Sequence, residues 1–246
     1  MRIAGLPAVA ALFAAAPERV ARLFFDERLK FEVGGFCATL AAARKPYRLE
    51  KPEELERVAG TLLHGGIVAV ARPRQLPALD PAEAARWARD GEMLLLLDGV
   101  GNPHNLGAIA RSAAFFGLKR LVLSDHPAQA LPSDASYRVA EGGLEHLAVY
   151  RAAGLAATLR RLGRDFRVLG TAASGGRPLA ALDAAGRPFA LVLGNEETGL
   201  ARATLEACAE IVTIEAAGRV QSLNVSVSAG ILLYALRRLG AAAAGR

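Results

Sequence analysis

Three clusters of polar residues and glycines, each following a short apolar run or opening a long helical stretch, are the places where this chain could do chemistry. The first is Asp98-Gly99-Val100-Gly101-Asn102-Pro103-His104-Asn105-Leu106-Gly107, continuing into Ala108-Ile109-Ala110-Arg111. The second is Gly194-Asn195-Glu196-Glu197-Thr198-Gly199-Leu200, and the third is Gln221-Ser222-Leu223-Asn224, ahead of a helix expected to reach Leu239. In open parallel sheets ligands bind beyond the carboxyl ends of the strands, so residues that follow apolar runs are the informative ones. The second cluster could offer donors and acceptors to a small ligand, but as a bare pattern it is equally a strand-to-helix turn. Ser222 also reads as a helix N-cap.

The first cluster admits two readings. Gly99-Val100-Gly101 falls one residue short of a dinucleotide fingerprint, and Asp125 lies near the place of a ribose-binding acid, which keeps a nicotinamide oxidoreductase as an alternative. Against it, His104 stands where the third glycine would permit close helix–strand contact. In a helix beginning near Asn105, Leu106, Ile109, Ala110, Ala113 and Gly117 form a sheet-facing stripe, and Arg111 lies roughly 140° from Leu106. Arg111 is therefore outside the core. Gly107 shares its side and leaves bare backbone where another molecule could approach. Phe115 also leaves the stripe, and the last helix is apolar nearly all round, which implies burial on more than one face.

The elements that position these clusters follow from the apolar runs. Runs at Met93–Leu97, Arg120–Leu123, Leu147–Tyr150, Arg167–Gly170, Phe189–Leu193 and Ile211–Ile214, separated by helix-length segments, specify a parallel sheet covered on both faces. Ahead of them, residues 1–71 alternate helix and strand: helix at Ala8–Ala15, strand at Arg22–Phe25, helix at Gly35–Arg44, strand at Tyr47–Leu49, a helix opened by Pro52, and strand at Ile67–Ala71. The proline-punctuated stretch 72–90 reads as a linker holding a short helix at Ala82–Ala88, with a second domain over 91–246 and an alanine–glycine tail that frays from Gly240.

Composition narrows the class. A hydrophobic fraction of 52% with 22% charged residues is that of a folded protein. A net charge of +6, nearly all of the excess from arginine, favours a polyanionic partner. Cys37 and Cys208 are far apart and form no CxxC pair, so neither a disulfide framework nor a cysteine zinc site is expected, and a cytoplasmic home without metal fits. The apolar start from Ile3 to Ala16 imitates a signal peptide, but it runs directly into the first α/β elements and is read as part of the fold. No run reaches the ~18 apolar residues of a membrane span.

Taken together, Asn105-Leu106-Gly107 with Arg111, Gly194-Asn195-Glu196 with Gly199-Leu200, and Ser222-Leu223-Asn224-Val225-Ser226 resemble the three signature motifs of the SpoU/TrmH branch of the SPOUT methyltransferases. The region from Gly5 to Ala71 is similar to the small α/β substrate-binding domain carried in front by many members. The resemblance implies an α/β fold with a knotted, SPOUT-type parallel-sheet catalytic domain, a homodimer with its active site near the subunit interface, and S-adenosylmethionine as cofactor. It implies an RNA partner, transfer or ribosomal, methylated on a ribose 2′-hydroxyl. The cofactor site it implies comprises Leu169, Gly170, Thr171, Leu193, Gly194, Asn195, Glu196, Ile214, Ala216, Ser222, Leu223 and Asn224. Asn105, Arg111, Glu196, Ser222 and Asn224 are the implied catalytic set.

Because a guanidinium stays protonated at accessible pH, Arg111 is better suited to clamping a phosphate than to acting as a base. Two departures from the family pattern stand out: Glu197, where many members have glycine, and Glu141 within Ala140-Glu141-Gly142-Gly143-Leu144-Glu145, where small residues are expected. A catalytically silent RNA-binding relative is a further alternative.

Overall fold

The computed structural model describes residues 1–183 and 186–244. The front domain is a four-stranded sheet, ordered β1-β4-β2-β3, made by β1 (Arg2–Ala4), β2 (Val20–Phe25), β3 (Tyr47–Leu49) and β4 (Ile67–Ala71). Its helices are α1 (Leu6–Ala15), α2 (Gly34–Ala42) and α3 (Pro52–Ala59). The apolar start is thus split at Gly5 into a strand and a helix, and β1, which periodicity missed, pairs antiparallel with β4.

Within the stretch 72–90, α4 (Pro81–Arg89) is started by Asp80, whose side chain accepts from the Ala82 N–H at 2.8 Å. It buries Ala84, Trp87 and Ala88 against the seven-stranded sheet that follows. The sheet then unfolds along the chain as β5 (Leu94–Asp98), α5 (Pro103–Phe115), β6 (Arg120–Ser124), α6 (Asp134–Ala140), β7 (Ala148–Ala152), α7 (Leu155–Leu162), β8 (Arg167–Thr171), the short edge strand β9 (Arg177–Pro178), β10 (Phe189–Gly194), α8 (Arg202–Leu205), β11 (Glu210–Thr213) and α9 (Val225–Ala244). All its pairings are parallel, in the order β7-β6-β5-β10-β8-β11-β9. The last helix runs on to Ala244 rather than stopping at Leu239; of the tail expected to fray, Gly245 and Arg246 lie outside the described residues.

Alternation along the strands divides the core. Leu95 and Leu97 face the layer of α5, α6 and α9, while Leu94 and Leu96 face α4 and α7. Each such fully buried leucine contributes about 2 kcal/mol of hydrophobic stabilisation. The strand order places β5 beside β10, and the chain leaves them in opposite directions, toward β6 and toward β11. Their carboxyl ends, Asp98 and Gly194, are register partners, so the first two polar clusters emerge side by side at a topological switch point.

The two domains are joined by packing and by a buried charge cluster. The core runs continuously from Ile3, Val9 and Leu12 to Tyr137, Ala140 and Leu144. Glu145, its side chain fully buried, accepts from Arg19 Nη1 at 2.9 and 3.0 Å and lies 3.6 Å from Arg74 Nη2. Burial works against the Arg19 charge, but Glu145 and Tyr137 hold its pKa above the ordinary value. Burial pushes the Tyr137 hydroxyl up as well, and Glu145 adds to the shift.

Gly107 corrects a sequence expectation. Its bare backbone is covered by the chain's own α6, with an added Cβ falling 2.5 Å from the Ser136 carbonyl oxygen and 2.8 Å from Val139 Cβ. No other molecule is needed to explain that glycine. Replacing glycine with alanine inside a helix ordinarily stabilises by roughly 0.5–1 kcal/mol. Here the sign reverses: Gly107→Ala is expected to lose about 1–3 kcal/mol by forcing α5 and α6 apart, measured by chemical denaturation.

Candidate active site

Helix α5 begins at the crevice between β5 and β10 because Asn102 caps it, accepting from the His104 N–H at 2.8 Å, and Pro103 supplies a preset first turn. The N-terminal amides of a helix attract an anion. The anion here is internal. Glu196 accepts from the N–H groups of Gly101 (3.0 Å) and Asn102 (3.2 Å) and from Asn105 Nδ2 (2.8 Å). Burial raises the pKa of the carboxyl, but the Asn105 and backbone donors outweigh it and hold the group below the usual carboxylate range. A second clamp comes from Asn195, whose Nδ2 donates to the Gly99 carbonyl at 2.8 Å while its Oδ1 accepts from the N–H groups of Glu197 and Thr198. Gly194 must be glycine, since an added Cβ would fall 2.5 Å from the Gly199 carbonyl carbon.

The third cluster joins through Asn224. Its Nδ2 donates to Asn105 Oδ1 at 3.1 Å, and its own Oδ1 accepts from the N–H and hydroxyl of Ser226 at 2.8 and 2.6 Å. Asn224, not Ser222, therefore caps α9, because the helix starts at Val225. A continuous hydrogen-bonded chain, Ser226 to Asn224 to Asn105 to Glu196, ties together three clusters that are far apart in sequence. Each amide has a nitrogen on one neighbour and an oxygen on the other, which settles its orientation.

The remaining expected residues divide by what their side chains do. Leu169 and Leu193 are core residues, so only their main chain can meet a ligand. Gly170 leaves room for Cys208 and Ile211, and the Thr171 hydroxyl donates to the Val192 carbonyl at 3.1 Å. Ile214 packs against the core, whereas Ala216 and Ser222 are exposed and Leu223 is half-exposed. Among the described residues, nothing donates to or accepts from the backbone of 216–223. Since β11 is separated from β10 by β8, this loop must pass the carboxyl ends of both strands to deliver Asn224 to Asn105. Arg111 is not drawn into the chain. It lies about 9 Å along α5 from Asn105 and is paired with Glu141.

One positioning residue, Gln129, escaped the sequence, and a second, Asp98, stood in the first cluster without a role. Gln129 is buried; its Oε1 accepts from the N–H groups of Gly99 and Val100, and its Nε2 donates to the carbonyls of Val100 and Ala130. Asp98 accepts from the Thr204 hydroxyl at 2.7 Å, tying β5 to α8. No local pattern marks Gln129 or gives Asp98 its partner, because the groups they bind lie far along the chain. An open groove of about 520 Å³, lined by Leu179, Leu182, Glu215, Tyr234 and Leu239, contains none of the linked polar groups. The chemistry belongs to the crevice, where polar groups converge.

The alternative of a dinucleotide enzyme fails on this geometry. A pyrophosphate needs free amides in the glycine turn that leads into α5, and Glu196 already holds two of them, those of Gly101 and Asn102, with a negative charge of its own. What remains is an α/β protein that presents a ligand crevice, roofed by a returning loop, at the carboxyl edge of a parallel sheet.

Comparison with known proteins places it further. Residues 92–234 match the model of the SpoU rRNA Methylase family, and residues 2–77 match the RNA 2′-O ribose methyltransferase substrate binding model. The chain belongs to the SpoU rRNA methylase family. It is 35% identical over 239 residues to the 23S rRNA (guanosine-2′-O-)-methyltransferase RlmB of Escherichia coli (strain K12), covering 94% of this chain and 96% of that one. It is 34% identical to the uncharacterized tRNA/rRNA methyltransferase YfiF of Escherichia coli O157:H7, of which it spans 66%. An AdoMet-bound rRNA methyltransferase from Sinorhizobium meliloti shares the fold, with a TM-score of 0.78 at 22% identity, over 96% of this chain and 86% of that one.

Glu196→Gln is expected to place an NH₂ group against backbone donors, lowering stability by about 1 kcal/mol, a value kept small because the residue is solvent-exposed. Its folded-state pKa is depressed, so the carboxylate's contribution is present above the unfolded value near 4.3 and is lost as pH falls through the folded value. The stability gap between wild type and variant should stay constant from neutral pH to about pH 5 and close below about pH 4. Urea titrations across that range measure it.

Proposed function

We propose that the protein transfers the methyl group of S-adenosylmethionine to a ribose 2′-hydroxyl of structured RNA, with ribosomal RNA as the first substrate to test and transfer RNA as the second. The observation that carries this reading is the Glu196–Asn105–Asn224 chain, which joins the three motif clusters at one crevice. The residues suit the cofactor. The main chain of 214–224, the Leu193-Gly194-Asn195-Glu196 turn and the segment Leu169-Gly170-Thr171 would hold its adenine and ribose, and the open backbone groups of 216–223 are the donors and acceptors left for that purpose. When bound, the cofactor supplies an electrophilic sulfonium methyl.

The protein's task is then alignment of a hydroxyl and disposal of a proton. Glu196 is ill suited to accept that proton, since its oxygens are committed to three donors and its pKa is depressed. Arg111 holds its own proton and clamps the neighbouring phosphate as a fork. The proton leaves through a phosphate oxygen or water. Asn105 and Asn224 keep the crevice in register, and Ser222 is a substrate-side hydroxyl.

In this reading residues 1–71 bind RNA, 72–90 join the parts, and 91–246 carry the chemistry. The C-terminal segment is threaded as a trefoil knot, consistent with the loop that passes β8 and β10 on its way to α9. The protein works as a homodimer in the cytoplasm. Support for the dimer comes from α5 and α9, which expose Phe115 (83%), Tyr234 (53%) and Val227 (50%). A silent RNA-binding relative is the second reading, favoured by the engagement of Arg111 with Glu141.

Isothermal titration is expected to show S-adenosylmethionine binding and no NAD binding; absence of the former removes the proposal. A tritiated-methyl assay on total RNA from a strain lacking the protein should label ribosomal RNA, whereas RNA affinity without label would favour the silent relative. Arg111→Lys should lower turnover at least ~10-fold, because a point charge cannot reproduce the fork. Near-full turnover in that variant would contradict the clamp.

A further inference from the structure

The guanidinium assigned to the substrate's phosphate already holds a carboxylate of its own chain. Arg111 Nη2 lies 2.8 Å from Glu141 Oε2, and the two side chains are 56% and 48% exposed, so a solute can reach the pair. Backbone preference does not explain why glutamate stands there. Glu141 closes α6 at φ 43°, ψ 47°, a left-handed conformation that suits glycine and strains a residue with a Cβ. Among the described non-glycine residues only Arg44 shares a positive φ.

The turn is also pinned. An added Cβ at Gly143 would fall 2.8 Å from Arg111 Cα and 2.9 Å from the Ala110 carbonyl oxygen, so the turn rests directly on α5 beside the arginine. Together with the close approach of α6 at Gly107, this contact sets the backbone at Glu141 close to Arg111.

A carboxylate and a phosphodiester are both singly charged groups with paired oxygens that a guanidinium takes as a fork. We infer that Glu141 is an internal phosphate mimic, holding Arg111 in the absence of RNA and yielding it to an RNA phosphate. This inference rests on the assignment of Arg111 to RNA. Glu141 thereby determines affinity and selects for RNA that can bring a phosphate to this point. An exposed pair is weak enough to be exchanged. The exchange lowers RNA affinity relative to a free guanidinium, and it removes one counterion-release contribution, because Arg111 enters the complex already neutralised.

The test titrates end-labelled fragments of 23S ribosomal RNA into wild type, Glu141→Gln and Glu141→Gly, with S-adenosylmethionine affinity measured in parallel. Both variants are expected to bind RNA about 5-fold more tightly. Their plot of log affinity against log salt should be steeper by about 0.7–0.9. S-adenosylmethionine affinity should be unchanged, and Glu141→Gly should melt no lower than wild type. In an Arg111→Ala background the Glu141 substitutions should have no effect. Wild-type affinity and slope in both variants would overturn the mimic, as would a gain that persists without Arg111. If wild type binds neither cofactor nor RNA, the functional reading fails and the mimic with it. A wild type that methylates RNA, beside variants that bind RNA no differently, removes the mimic alone.

Discussion

The carboxylate of Glu196 at the start of α5 is the contact on which the architecture of the site depends. A helix N-terminus at a sheet's switch point is a ready anion site, and in many α/β proteins the ligand provides the anion. This chain uses a side chain from the neighbouring strand end instead. Two amides of the turn ahead of α5 are satisfied, the loop after β5 is bound to the loop after β10, and Asn105 is left with one amide oxygen to offer Asn224. The turn that a pyrophosphate would use in a dinucleotide enzyme is thereby occupied from within.

Electrostatics recur at a larger scale between the domains. Glu145 is buried with Arg19 from the front domain and Arg74 from the joining stretch around it, and the Arg74 guanidinium also donates to the Leu144 carbonyl at 2.6 Å. Buried ion pairs contribute little net stability compared with apolar packing, but they penalise geometries that separate the partners. The cluster, together with the shared core beneath it, holds the front domain in one orientation over α6. The turn that carries Glu145 also carries Glu141 and Gly143, so the surface facing Arg111 and the joint between domains are built from one short segment.

Part of the charge on this molecule is placed in specific pairs and stacks. Arg167 and Arg177 share Asp183 and Glu210 at the edge of the sheet, Arg120 lies over the Trp87 ring, and Arg111 meets Glu141.

Consecutive residues carry most of the strands, the two-sided parallel sheet and the three clusters, though not the two-residue edge strand β9, because burial on alternate faces and turn chemistry are local properties. Leu94 to Leu97 and the Gly194–Gly199 turn are legible in this way, and so is Arg111 as a residue outside the core. Strand β1 was not, since three residues inside an apolar run carry no period, and Ser222 displaced Asn224 as the helix cap because both types suit that position. Only the tertiary structure decided that Asn105, Glu196 and Asn224 form one chain, that Gln129 and Asp98 hold the loops, that Gly107 serves α6, and that Glu141 occupies Arg111. Each of these depends on which strand lies beside which, and strand order is set by long-range packing that no short stretch of residues encodes.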